Sequence, residues 1–106
     1  MSVLIDFSIF PVNKGESLSP YVARTLAIVR DSGLPYMLGP MGTAVEGEWD
    51  ELVAMVTRCF KDLKKNCGRI NMTIKVDYRE GDSNRIAGKV KSVESKQALQ
   101  SKPYAG

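Results

Sequence analysis

The chain has 106 residues, the length of one domain, and its 43% of hydrophobic residues is enough to fill a core. No apolar run approaches the roughly 18 residues of a membrane helix, and the opening MSVLIDFSIF has no basic region and is interrupted by Asp6, so no signal peptide is expected. Two cysteines and no histidine leave no zinc-ligand spacing, and free thiols of a reducing cytoplasm are the simplest account. The net charge of +3 comes largely from the C-terminal third; it suits an anion and does not point to nucleic acid.

Residues 3–10, VLIDFSIF, alternate as a strand, with Val3, Ile5, Phe7 and Ile9 on one face and Leu4, Asp6, Ser8 and Phe10 on the other. Pro11 ends it, and Asn13 and Gly15 are turn formers. Ser19 offers a helix cap and Pro20 suits the first helical position. The helix then runs to about Ser32 and buries Val22, Leu26 and Val29, before Gly33 and Pro35 stop it. Residues 36–39 and 43–46 read as a hairpin joined through Pro40, Met41 and Gly42, with Pro40 removing a donor from the edge.

Trp49, Asp50 and Glu51 open the strongest helix, with two carboxylates at the favourable end of the dipole. Leu52, Val56, Cys59, Phe60 and Leu63 form its apolar stripe, and Lys61, Lys64 and Lys65 occupy its last turns. In RINMTIKVDYR (Arg69 to Arg79), Ile70, Met72, Ile74 and Val76 face one way and Asn71, Thr73, Lys75 and Asp77 the other. After a polar turn, Ile86 to about Leu99 reads as a third helix with a thin Ile86/Val90/Val93 stripe that needs a partner surface. The expected fold class is α+β: a ferredoxin-like βαββαβ sandwich with an extra C-terminal helix. Residues 1–100 form the single domain and residues 101–106 a flexible tail. Both main helices pack on one sheet face. The other face mixes Leu4, Ser8, Phe10 and Thr73 with Asp6, Asn71, Lys75 and Asp77, and suits a subunit interface or a ligand floor.

No nucleophile–base pair is evident. Cys59 sits on an apolar stripe and reads as a core thiol; Cys67, beside Lys64 and Lys65, reads as structural. Asp6 interrupts an apolar strand, where an unpaired carboxylate is costly, so it either pairs with Lys75 or serves a ligand. Glu46 and Glu48 are either ligand acceptors or a solvated strand end leading into a helix. Trp49 reads as packing on the domain. Arg79, Arg85, Lys89 and Lys91 either hold an anion or form a solvated face. The Gly-Pro-Met-Gly turn lacks phosphate-loop spacing.

The segments GLPYMLGPMGTAVEGEWDEL (Gly33 to Leu52), MTIKVDYR (Met72 to Arg79) and KVKSVESK (Lys89 to Lys96), with FSIFPV and SPYVARTL, resemble the small thiamine-binding protein family over residues 2 to about 97. The resemblance implies a non-catalytic, cytoplasmic protein. It would bind thiamine or its hydroxymethylpyrimidine part, need no metal or cofactor, and avoid nucleic acid and membranes. Its partner would be itself, as a homodimer assembling to a homotetramer with sheets joined edge to edge and stacked through the open face. An aminopyrimidine needs hydrogen-bonding groups and flat apolar walls. Asp6, Ser8, Thr43, Glu46 and Asn71 can supply the former, and Phe10, Tyr36 and Met41 the walls; a thiazolium ring would favour an acid or an aromatic face. The competing reading is a structural or regulatory assembly module holding only sulfate or phosphate through Arg79, Arg85 and Lys89. An acylphosphatase-type enzyme is disfavoured because the loop after the first strand, Val12 to Ser17, carries no arginine.

Overall fold

A computed structural model describes residues 2–13, 15, 18–81 and 86. Six elements follow in order: β1 (Val3–Pro11), α1 (Ser19–Asp31), β2 (Tyr36–Leu38), β3 (Thr43–Gly47), α2 (Trp49–Lys64) and β4 (Ile70–Tyr78). The expected third helix and the 101–106 tail lie outside the described residues.

The strands form one antiparallel sheet in the order β2-β3-β1-β4, the ferredoxin-like arrangement. Alternation fixes its faces. Val3, Ile5, Phe7 and Ile9 are buried with Val45 against Val29 of α1 and Leu52, Met55, Val56, Cys59 and Leu63 of α2. The register sets Ile5 opposite Val45 and Val76, so one row of apolar side chains crosses three strands beneath the helices.

Each α2 end is set by its own sequence. Glu48 caps the N-terminus in a reciprocal box with Glu51, whose Oε1 accepts from the Glu48 N–H at 3.2 Å. Asp50 and Glu51 stand in the first turn and Lys61 and Lys64 in the last. Glu48 is exposed at the strand end that leads into α2, and its capping role was not among the readings of the sequence. Phe60, expected in the stripe, is 37% exposed, and Met55 takes the buried place instead. Trp49 projects outward, 51% exposed, rather than packing on the domain.

In α1 the cap position is Leu18, without a side-chain cap, and Ser19 lies inside the helix; Gly33 adopts φ 76 just past its end. The two helices are tied by Arg24. Its Nε donates to Asp62 Oδ2 at 3.0 Å, one terminal nitrogen to the Asp62 carbonyl at 2.8 Å, and the other to Asn66 Oδ1 at 3.1 Å. The guanidinium also lies 5.9 Å from the Tyr21 ring centroid. The contact is partly solvated, so Arg24→Ala is expected to cost about 1 kcal/mol in urea unfolding. Arg24→Lys should recover little of it, because one ammonium cannot reproduce the fork.

α2 packs over β1 and β3. The helix-side row of β4, Met72, Ile74, Val76 and Tyr78, is consequently half exposed. The opposite face is mostly solvated at Asp6, Asn71, Thr73, Lys75 and Asp77, as the alternation predicts.

Both cysteines are free and buried. Burial pushes the Cys59 thiol from 9.0 up to about 11. The fold favours the neutral thiol, so this contribution to stability is complete below pH 9 and is lost as pH rises through about 11. Urea midpoints measured across that window should fall with pH, and Cys59→Ala should flatten this dependence. Iodoacetamide at pH 8 should label Cys59 only after unfolding.

Candidate functional site: a notch where β1 outruns β3

β1 is paired with β4 along all nine residues, from Val3 opposite Tyr78 to Pro11 opposite Ile70. Its pairing with β3 covers only Val3 to Phe7, ending at Phe7 opposite Thr43. The hairpin explains the mismatch. Leu38 stands opposite Thr43, and the Gly39 N–H donates to the Gly42 carbonyl at 2.8 Å, leaving Pro40 and Met41 as a two-residue tip. β3 therefore begins too late to reach Ile9.

The seam is tight at Gly42. A Cβ there would lie 2.6 Å from Asp6 Oδ1 and 3.2 Å from the Phe7 carbonyl oxygen, so glycine lets the hairpin lie against β1.

Beyond that seam a cavity of about 370 Å³ opens between three walls. Phe7 to Phe10 of β1 form the floor. Val22, Thr25 and Leu26 of α1, with Leu18 before it, form one side. Leu38 to Thr43 of the hairpin form the other. The lining is chiefly apolar, and Met41, 89% exposed, stands at the rim. This explains why Val22 and Leu26 are more exposed than the helical spacing suggests: they face the cavity, and Thr25 and Val29 are the α1 residues buried beneath it.

Thr25 is the chemically unusual wall residue. It is 8% exposed, and its Oγ1 has no hydrogen-bond partner among the described residues. A buried hydroxyl without a partner is disfavoured unless something else completes it.

The sequence-predicted residues are divided by this geometry. Ser8, Phe10, Met41 and Thr43 border the cavity. Tyr36 lies one strand over, in a shallow groove with Ala23, Leu26, Ala27, Arg30 and Leu38. Asp6 and Asn71 are exposed on the opposite sheet face; the register sets Asp6 across from Lys75, with both side chains exposed, so burial exacts no penalty there. Glu46 is buried and committed to the chain's own donors, Ser2 Oγ at 2.8 Å and the Ile86 N–H at 3.4 Å. Arg79 follows β4, while Arg85, Lys89 and Lys91 lie outside the described residues. Sequence reasoning missed Thr25, which lies between Val22 and Val29 on α1. Among the described residues no group of three or more His, Cys, Asp or Glu could hold a metal, and no helix is long and apolar enough to cross a membrane.

The fold and the cavity define a small ferredoxin-like α+β domain with a recess beside its central strand. The profile of the thiamine-binding proteins matches residues 5–94, and the chain belongs to that family. It is 39% identical over 95 residues to UPF0045 protein Mb1933 of Mycobacterium bovis, covering 89% of this chain and 93% of the relative. Among solved structures, protein MJ1052 of Methanocaldococcus jannaschii superposes with a TM-score of 0.80 at 28% identity, covering 88% of this chain and 96% of that one. A Thermotoga maritima protein, TM0486, for which a role in thiamine biosynthesis or salvage is proposed, gives 0.79 at 25% identity, covering 88% and 99%.

Because the Thr25 hydroxyl has no partner among the described residues, replacing it by a methyl group should not hurt the fold. Thr25→Val is expected to hold or raise stability by up to about 1 kcal/mol in urea unfolding. A loss of about 1 kcal/mol or more would mean that the hydroxyl is satisfied within the protein.

Proposed function

We propose that this protein binds thiamine or a related hydroxymethylpyrimidine, without turning it over, in the cavity between α1 and the β2–β3 hairpin. The observation that carries the reading is the buried, unpartnered Thr25 hydroxyl in an otherwise apolar recess. Pockets for small molecules combine mostly apolar walls with a few placed polar groups, and a volume of about 370 Å³ lies at the small end of their usual range of roughly 300–1,000 Å³. That size suits one heteroaromatic ring with short substituents. Family membership supplies the ligand class.

Recognition, rather than proton transfer, is the chemistry that hydroxyls and apolar walls support. Self-association is part of the reading. The half-exposed row Met72, Ile74, Val76 and Tyr78 lies on the terminal strand of the described sheet and suits cover by a second copy.

Calorimetric titration of purified protein with thiamine and with 4-amino-5-hydroxymethyl-2-methylpyrimidine should give saturable heat. Thr25→Val should weaken binding by about tenfold, the value of one lost hydrogen bond, without loss of stability. Absence of heat from both ligands at high micromolar concentration would count against the proposal.

A further inference from the structure

We propose that the ligand's ring is read by the main chain, through the N–H and C=O of Ile9, and that the ligands selected are those carrying an exocyclic amino group beside a ring nitrogen. This rests on the ligand reading above and adds to it the group that sets specificity.

The direction of the Ile9 peptide groups follows from hydrogen-bond parity. In an antiparallel pair, residues that exchange hydrogen bonds alternate with residues that do not, and each bonded residue points its N–H and C=O to the same side. The Val12 N–H donates to the Arg69 carbonyl at 2.8 Å, one step beyond the Pro11–Ile70 pair. Val12, Phe10 and Ser8 therefore address β4, and Phe7, Ile9 and Pro11 address the β3 side. The hairpin agrees independently. Gly39 and Gly42 are bonded, as are Glu46 and Pro35 at 3.0 Å, so Thr43 and Val45 turn their peptide groups toward Phe7 and Ile5.

Continuing that ladder would set Met41 opposite Ile9, but Met41 is the exposed tip of the turn. Among the described residues no backbone group bonds Ile9 on this side. Pro11 has no N–H, so Ile9 carries the last complete donor–acceptor pair on that edge. Its floor position in the cavity sets this pair against the recess that Thr25 borders from the helix side.

One residue's N–H and C=O, pointing the same way, complement a flat edge on which an acceptor stands beside a donor. A ring nitrogen next to an amino group offers that edge. The ring nitrogen accepts from the Ile9 N–H and the amino group donates to the Ile9 carbonyl, as a missing strand would. The apolar walls hold the ring faces, and Thr25 Oγ1 remains for a further polar substituent. Thiamine and the free pyrimidine share this edge, so both are read identically at Ile9.

The test is an NMR titration of ¹⁵N-labelled protein, with affinities measured in parallel. The probes are thiamine, 4-amino-5-hydroxymethyl-2-methylpyrimidine and the same pyrimidine with hydrogen in place of the amino group. The Ile9 amide proton should move downfield with both amino compounds. Affinity for the deaminated ring, which leaves the Ile9 carbonyl unpaired, should fall by at least about tenfold. If the amino compounds bind but Ile9 is unmoved, or the deaminated ring binds equally well, backbone readout is wrong while the ligand reading stands. If none of the three binds, both fall.

Discussion

The structure depends on a length mismatch within its sheet. β1 is long enough to satisfy β4 along its whole length, but β3 is cut short by a two-residue turn. A paired strand must hydrogen-bond on both sides or leave peptide groups facing something else. Here the something else is a recess, roofed by α1 and fenced by the hairpin. Gly42 permits the tight seam, Pro11 shortens the open edge, and the Thr25 hydroxyl is buried beside it. The functional proposals follow from that arrangement, with family membership supplying the chemical class of the ligand.

The fold was legible because its signals are periodic. Alternation in Val3–Ile9 and in Ile70–Val76 assigned the faces of β1 and β4 correctly, and α2 carries its cap, its stripe and its dipole charges in plain sequence. The misreadings have local causes. Met55 and Phe60 both border the apolar face of α2, and which one enters the core depends on the sheet it meets. Val22 and Leu26 have helical core spacing but face the recess. Ser19 resembled a cap only because the chain's turn into the helix is not visible in residue types.

The site was less legible because the conspicuous polar residues lie on the other sheet face. Asp6 and Asn71 are on that face, yet the recess lies under the helices, and Glu46 is occupied by Ser2 and Ile86. Ser8 and Phe10 reach the recess from the part of β1 beyond the β3 pairing, Thr43 from the start of β3, and Met41 from the hairpin tip. Thr25 carried no conspicuous pattern, and the alternation marked Ile9 only as a core residue of β1. A signal was available: the nine-residue run before Pro11 is longer than the strand that can start after Gly-Pro-Met-Gly, and that excess is the notch.

The described domain also has an asymmetry on its outer side. α2 covers β1 and β3 and leaves the apolar row of β4 half exposed, a surface distinct from the solvated Asp6–Lys75 face. The site and this surface stand on opposite sides of β1, so binding and association can be tested separately. The recess as the seat of the ligand is what a crystal tests most directly. A crystal structure grown with the hydroxymethylpyrimidine should show its ring between α1 and the Gly39–Gly42 turn, with a ring nitrogen within hydrogen-bond distance of the Ile9 nitrogen. A ring seated instead on the Asp6, Asn71 and Lys75 face, with the recess unchanged, would contradict it.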